Sequence, residues 1–421
     1  MKLFIGYDLS PEQKKIVLLS SLGGLLEFYD FTVYGLFAVY FAHQFFPSHN
    51  EFIALMASYS VFVVGYIVRP IGGILFSHIG DEIGRKTVLI LTMILMGVAS
   101  LGMGLLPTYA QIGVAAPLLM LLLRLIQGLA IGGELPSMIV YVAETMPRKR
   151  GYGLGGVFSG TVAGLIPGML INLLIVHYFS TEQILSYGWR IPFILGGLLC
   201  IIAYFVRKEL HETIAFKKIK QHKSAPFFEV LHHHLGKVFI GAGLVSIIAM
   251  PIILLIIFMP TYLTKFAGIE PKVASDAILV SSVVSVIAIY FMGILANKFN
   301  PIKLMRISLV LIVIFAGLCY TLISHKVDLI LALSLFAVFQ GGLVTLPAII
   351  ISYIFPTNIR LTGVALSYNL SFVLFGGLTP IVMTSLIVET GLTYIIPVLL
   401  LLISAIYAWW SLEKAKAFLK N

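Results

Sequence analysis

Six charged side chains stand inside stretches that are otherwise apolar: Glu27, Asp30, Arg69, Arg124, Glu134 and Arg190. On insertion scales an ionised side chain at mid-bilayer costs about 2.5–3.5 kcal/mol, so each is expected to face protein or a watery cavity. Glu27 and Asp30, within "EFYDFTVYG", are three residues apart. That spacing sets them about 60° apart around a helix and gives them a common face, with Tyr34 one turn further on. Two carboxylates in low-dielectric surroundings repel, which favours keeping a proton on one of them. A carboxyl that loads and releases a proton is the part a proton-driven process requires, and Glu27, Asp30 and Glu134 are the candidates. The alternative is that these acids are structural, each held by Arg69, Arg124 or a backbone donor.

Arg124 and Gln127 lie three apart on one run, and Arg69 sits in another. A guanidinium keeps its proton and pairs bidentately with carboxylates, so Arg69 and Arg124 are candidate anchors for an anionic ligand group. Charge neutralisation of the three acids is the plainer use of the same two residues. Glu134 lies ten residues past Arg124, about 15 Å along a helix, too far to pair with it. Gln127, Tyr29, Tyr34, Tyr368 and Asn369 are candidate neutral contacts, although membrane aromatics more often pack or sit at the interface. Gln340 is a candidate of the same kind, with Trp189 expected near the outer mouth.

These residues need elements to hold them. The chain has 421 residues, 59% of them hydrophobic and only 11% charged, with a mean hydropathy of +1.03. Apolar runs long enough to cross a bilayer as helices recur throughout, at about 16–41, 52–77, 87–107, 112–142, 153–177, 190–206, 238–263, 274–296, 304–323, 329–354, 363–387 and 393–410. This predicts an all-α membrane protein with twelve transmembrane helices.

The net charge of +10 is topological and gives no reason to expect nucleic acid. One set of loops holds nearly all the Lys and Arg, including Arg85, Lys86, Arg148, Lys149, Arg150 and Lys217, whereas the alternate loops carry Lys265, Lys272 and Lys326. By the positive-inside rule both termini and the middle loop are expected in the cytoplasm.

The polar stretch 207–237 divides the runs six and six, predicting two six-helix bundles at 1–206 and 238–421 joined by a cytoplasmic linker. Its basic segment "FKKIKQHK" suits anionic headgroups. The halves echo one another: "SHIGDEIGRKTVL" answers "GILANKFNPIKLM", and "MPRKRG" answers "FPTNIRLTG", each displaced by about half the chain. Such repeats mark secondary transporters, whose site lies between two halves that rock around it. No GxxxxGK[ST] loop is present, which argues against ATP-driven pumping on this chain. The two cysteines are isolated, and His232, His233 and His234 are consecutive and point apart, so neither a disulfide nor a metal site is expected. No cofactor is expected, and no nucleophile–base set suggests an enzyme. Gly156, Gly160, Gly164 and Gly168, at four-residue spacing, predict close helix packing.

In order, "EFYDFTVYG", "RPIGGILFSHIGDEIGRK", "RLIQGLAIGGE", "ETMPRKRG", "WRIPF", "RKELHET" and "FPTNIRLTGVALSYNLSFVLFGGLTP" resemble the major facilitator superfamily, and within it the metabolite–proton symporters that include proline/betaine and α-ketoglutarate carriers. The resemblance covers nearly the full length. It implies a multi-pass protein of the bacterial cytoplasmic membrane that acts as a monomer on protons and a small-molecule substrate. The expected reaction is proton-coupled uptake, by alternating access, of a carboxylate-bearing metabolite, either a zwitterion or an organic anion. It also implies a cytoplasmic gate built from Asp81, Gly84, Arg85, Glu144, Arg150 and Arg360, with Asp81 meeting a helix N-terminus. The rival reading is a proton-coupled exporter or antiporter of a drug- or siderophore-like compound. It is disfavoured because Pro167 does not directly follow Gly164, as the Gly-Pro motif of such antiporters would require.

Overall fold

The computed structural model describes residues 9–47, 51–218 and 226–418. Twelve helices in it are long and apolar enough to span a membrane. We number them α1 (Pro11–Phe45), α2 (Met56–Glu82), α3 (Arg85–Leu105), α4 (Ala115–Thr145), α5 (Arg150–Tyr178), α6 (Arg190–Arg207), α7 (Leu235–Ile257), α8 (Pro271–Lys298), α9 (Pro301–Ser324), α10 (Leu329–Ile354), α11 (Thr357–Thr390) and α12 (Ile395–Phe418). Two short helices, Ile214–Lys217 and Pro226–His233, lie between α6 and α7.

Local chemistry sets several ends. α1 starts well before its apolar run because Ser10 and Gln13 form a capping box around Pro11 at the first helical position. Asn300 and Asp328 cap α9 and α10 by accepting backbone N–H groups of the first turn. Gly84, before α3, has φ of +133°, a conformation that favours glycine, and offers no side-chain cap. Glu212 supplies the missing acceptor from the α6–α7 segment, taking the Lys86 N–H at 3.0 Å.

The six earlier helices pack mainly on one another, as do the six later ones, and the same neighbours recur. α1 packs on α5 as α7 does on α11, α2 on α4 as α8 on α10, and α3 on α6 as α9 on α12. The repeat visible in the loops is therefore a repeat of helix packing. Between the halves, α5 meets α8 and α2 meets α11.

Glycines bring the backbones close. The stripe Gly156, Gly160, Gly164 and Gly168 lies against Val17, Ser21, Leu25 and Thr32 of α1. Across the halves, a Cβ on Gly293 of α8 would come within 2.7 Å of the Gly155 Cα of α5. The exposed faces are apolar, as with Ile67, Ile71 and Leu75 along α2, and suit lipid. α7 is the most enclosed span, with 89% of its apolar window buried.

One boundary differs from the sequence expectation. Arg207, assigned above to the linker, ends α6 and is fully buried.

Candidate functional site

At the meeting of the halves lies a cavity of ≈ 20 Å³, room for about one water. Glu27, Phe31, Tyr66 and Arg69 line it from the first half, and Ile256 and Phe372 from the second. Arg69 Nη2 donates to Glu27 Oε1 at 3.1 Å, and both side chains are buried. The Arg69 guanidinium stands 4.2 Å from the Tyr66 ring centroid and 5.9 Å from that of Phe372. Glu27 Oε2 is buried and accepts no hydrogen bond among the described residues. Pro70, directly after Arg69, cannot donate to the Tyr66 carbonyl, which loosens α2 where it meets the cavity. On the opposite wall Ile256 and Phe372 lie in π-helical turns, Ile253–Ile257 and Phe372–Gly377, a distortion frequent at functional sites.

Asp30 does not share these surroundings. It points towards α3 and α4, where Ser100 Oγ and Gln127 Nε2 both donate to its Oδ2, the latter at 3.1 Å. Gln127 Oε1 accepts from Arg124 Nη1 at 2.6 Å. The Arg124 guanidinium lies 3.6 Å over the Tyr34 ring, and the Tyr34 hydroxyl donates to the Ser58 carbonyl of α2 at 2.9 Å. The 60° offset that suggested one face is enough, in a close-packed bundle, to aim the two acids into different helix interfaces.

Glu134 has a third setting. Arg207 Nη2 approaches its Oε1 at 2.7 Å, and Thr92 Oγ1 donates to Oε2. The Arg207 guanidinium also donates to the carbonyls of Leu19, Ser20 and Leu89, each at 2.9 Å. These contacts tie α1, α3, α4 and α6 together. A buried charge pair with this degree of hydrogen bonding is structural in form.

At the Lys/Arg-rich end, charged residues bridge the halves. Asp81 accepts from the backbone N–H groups of Leu361 and Thr362, at 3.3 and 2.9 Å, and from the Thr362 hydroxyl at 2.8 Å. Its partner within the half is Arg85, at 3.1 Å. Glu144 pairs with Arg85 at 3.3 Å and with Arg360 of α11 at 2.8 Å, and accepts from the Thr213 hydroxyl at 2.8 Å. Arg85 donates to the Thr357 carbonyl at 2.7 Å and faces the Phe216 ring. Arg150 donates to Ser352 Oγ of α10 at 3.3 Å and stacks on Tyr353. Glu212 and Thr213 make the α6–α7 segment a third component of this network.

Of the residues expected to contact substrate, Arg69 alone lines the cavity in this conformation. Tyr29 donates to the Pro192 carbonyl of α6 at 2.8 Å, Tyr34 and Gln127 belong to the Arg124 network, and Tyr368 stacks on Phe372. Asn369 donates across the halves to the Gly132 carbonyl at 2.9 Å. That carbonyl is open because Pro136, four residues on, has no N–H to offer it. Arg190 caps the end of α3 through the carbonyls of Gly104 and Leu106. Sequence reasoning missed Arg207, Ser100, Thr92, Tyr66, Glu212 and Thr213. Hydroxyls in apolar helices commonly bond the preceding turn, so those of Ser100 and Thr92 carried no signal of a partner. Arg207 was masked by Lys208 beside it.

Comparison with known proteins fits this architecture. Residues 20–268 match the family model of the Major Facilitator Superfamily. A putative proline/betaine transporter of Staphylococcus aureus is 31% identical over 91% of this chain and 84% of its own length. The glycine betaine/proline/ectoine/pipecolic acid transporter OusA of Dickeya dadantii is 31% identical over 93% of this chain and 81% of its own. Among solved structures, the proton:xylose symporter XylE superimposes with a TM-score of 0.79 at 17% identity, covering 94% of this chain and 95% of that one. The chain belongs to the major facilitator superfamily, in the same branch as these proline/betaine transporters, and is a secondary transporter rather than an enzyme.

Proposed function

We propose that this protein takes up a small zwitterionic carboxylate, of the proline or betaine kind, together with protons. The observation that carries the reading is the Glu27–Arg69 pair facing the cavity between the halves. A zwitterion presents one charge of each sign, so it can replace both partners of that pair. Its carboxylate takes the Arg69 fork, and its ammonium takes the Glu27 carboxylate, whose Oε2 already accepts no hydrogen bond. The faces of Tyr66, Phe31 and Phe372 suit a quaternary ammonium, which has no N–H to donate. A dicarboxylate would bring a second negative charge against Glu27. The second cation an organic anion would need, Arg124, is engaged with Gln127 and Tyr34 instead. The names of the relatives support the same class.

The Lys/Arg-rich end is cytoplasmic in this reading, together with both termini, in a bacterial inner membrane. The network of Asp81, Arg85, Glu144, Arg150 and Arg360 then closes the inner side, with Gly84 supplying the turn before α3. The ≈ 20 Å³ cavity is a contracted form of the site, and loading requires the halves to separate at the other end. One protomer holds the whole site and acts alone.

The test uses purified protein in proteoliposomes containing a pH-sensitive dye. Proline, betaine, α-ketoglutarate, citrate and shikimate are added in turn. Acidification with proline or betaine is expected, whereas acidification with the dicarboxylate alone would overturn the zwitterion assignment.

A further inference from the structure

Asn369 does not line the cavity, yet it is buried where the halves meet, only 3% exposed. Its Nδ2 donates twice, to the Ala365 carbonyl one turn back on α11 and to the Gly132 carbonyl of α4, each at 2.9 Å. Each N–H of the amide thus has its own acceptor. The second acceptor is open because Pro136 has no N–H to give the carbonyl four residues back. The approach is open because position 73 of α2 is glycine, where a Cβ would come within 2.3 Å of Asn369 Nδ2. A Cβ on Gly132 would in turn come within 2.0 Å of the Arg69 carbonyl oxygen. The amide therefore docks where the backbones of α2 and α4 touch, beside Arg69.

Along α11 the contacts with the first half fall at three levels. Leu361 and Thr362 give their N–H groups to Asp81 at the Lys/Arg-rich end. Asn369 reaches Gly132 about 10 Å further along the helix. Phe372, almost one turn beyond, forms cavity wall and faces the Arg69 guanidinium. The first contact is charged, the last is apolar, and Asn369 is the neutral bond between them.

We infer that Asn369 is a positioning residue for the transport cycle, a latch between the cavity and the charged network. It holds α11 on the α2–α4 crossing while the cavity is contracted, and it lets go when the halves part at the Lys/Arg-rich end. Its chemistry suits release. Separating a buried ion pair exposes two charges, whereas this bond joins a neutral amide to a neutral carbonyl. As the halves part, the amide keeps its bond to Ala365, and water entering the cleft takes up the Gly132 carbonyl and the freed N–H. No polar group is left buried and unpaired, so the latch biases that end towards closure without fixing it. The proline at 136 and the glycine at 73 are both required, the one to free the carbonyl and the other to admit the amide.

The test reads opening directly and needs no substrate, so failure of uptake with every compound named above would leave it standing. Full-length protein carries Ser352→Cys, a position whose hydroxyl accepts from Arg150 across the halves. Maleimide labelling is followed by mass spectrometry at this cysteine and at the buried Cys200 and Cys319, one within each half. Asn369→Ala should raise the labelling rate at position 352 about fivefold, the worth of one neutral hydrogen bond. Pro136→Ala gives the Gly132 carbonyl an N–H of its own helix and should raise the rate in the same direction. The double variant should label no faster than the faster single variant, because both changes remove the same bond. Labelling of Cys200 and Cys319 should stay as in the parent, since the latch acts between the halves and not within them. A merely structural asparagine would loosen its own bundle and expose those cysteines as well. Unchanged labelling at position 352 in either single variant, faster labelling at all three cysteines, or two effects that multiply in the double variant would each overturn the proposal.

Discussion

Asp81 of α2 accepts the backbone N–H of Thr362 at 2.9 Å, so a carboxylate of the first half caps the opening turn of a helix in the second. A charge at a helix N-terminus is worth about 0.3–1 kcal/mol, and up to ~2 kcal/mol when partly buried. Asp81→Asn keeps the shape and discards that charge. Hydrogen exchange of the Leu361 and Thr362 amides should quicken by about tenfold, the equivalent of about 1.4 kcal/mol. Unchanged protection would show that the contact between halves does not depend on the charge.

Two glycine contacts that look alike in sequence should respond differently. Gly160 packs on Ser21 within the first half, so Gly160→Ala overpacks a bundle and should lower its stability by about 1–3 kcal/mol. Gly293 meets Gly151 and Gly155 across the halves. Gly293→Ala should leave the melting temperature nearly unchanged and raise solvent access at the Lys/Arg-rich end. Thermal melts paired with labelling of a cysteine introduced at Ser352 would separate the two effects.

Removing Arg207 strands the Glu134 carboxylate in the interior, and Arg207→Met should cost about 3–5 kcal/mol. Joined with Glu134→Leu, the loss should be largely recovered, because apolar residues of similar volume can replace a buried pair. The double variant should still accumulate substrate against a proton gradient, which would remove Glu134 from the proton-carrying candidates. Loss of gradient-driven uptake with intact counterflow would reinstate it.

The Thr213 hydroxyl ties the α6–α7 segment to Glu144 at 2.8 Å. Thr213→Val deletes a neutral-to-charged hydrogen bond, worth about 1.5–3 kcal/mol locally, together with the cap that the hydroxyl offers the Phe216 N–H. Brief trypsin treatment should then cut at Lys217 and Lys218 several-fold faster, while the Glu144–Arg360 pair holds the halves together. An unchanged cleavage rate would mean that Glu212 and Phe216 secure the segment without Thr213.

Much of the architecture was legible because its causes are local or periodic. Runs of about twenty apolar residues, the one-sided distribution of Lys and Arg, and the echo of "SHIGDEIGRKTVL" in "GILANKFNPIKLM" need no knowledge of contacts. The intramembrane charges were legible too, since their cost in lipid makes each conspicuous.

Which charge meets which partner was not legible. Helical spacing gave Glu27 and Asp30 a common face, yet Glu27 turns to Arg69 of α2 and Asp30 to Ser100 and Gln127 of α3 and α4. Asn369 finds a carbonyl freed by a proline on another helix. Arg207 read as a loop charge and instead closes a four-helix joint.

By itself the sequence determined the membrane spans, their number and duplication, and the places where charge had to be sheltered, because bilayer thickness and desolvation act on each segment separately. Only the tertiary structure decided that one acid pairs beside the cavity, one pairs structurally and one, Asp30, is held by Ser100 and Gln127 with no ion pair among the described residues. Those outcomes depend on rotations of tens of degrees between packed helices, which close packing fixes and sequence spacing does not encode.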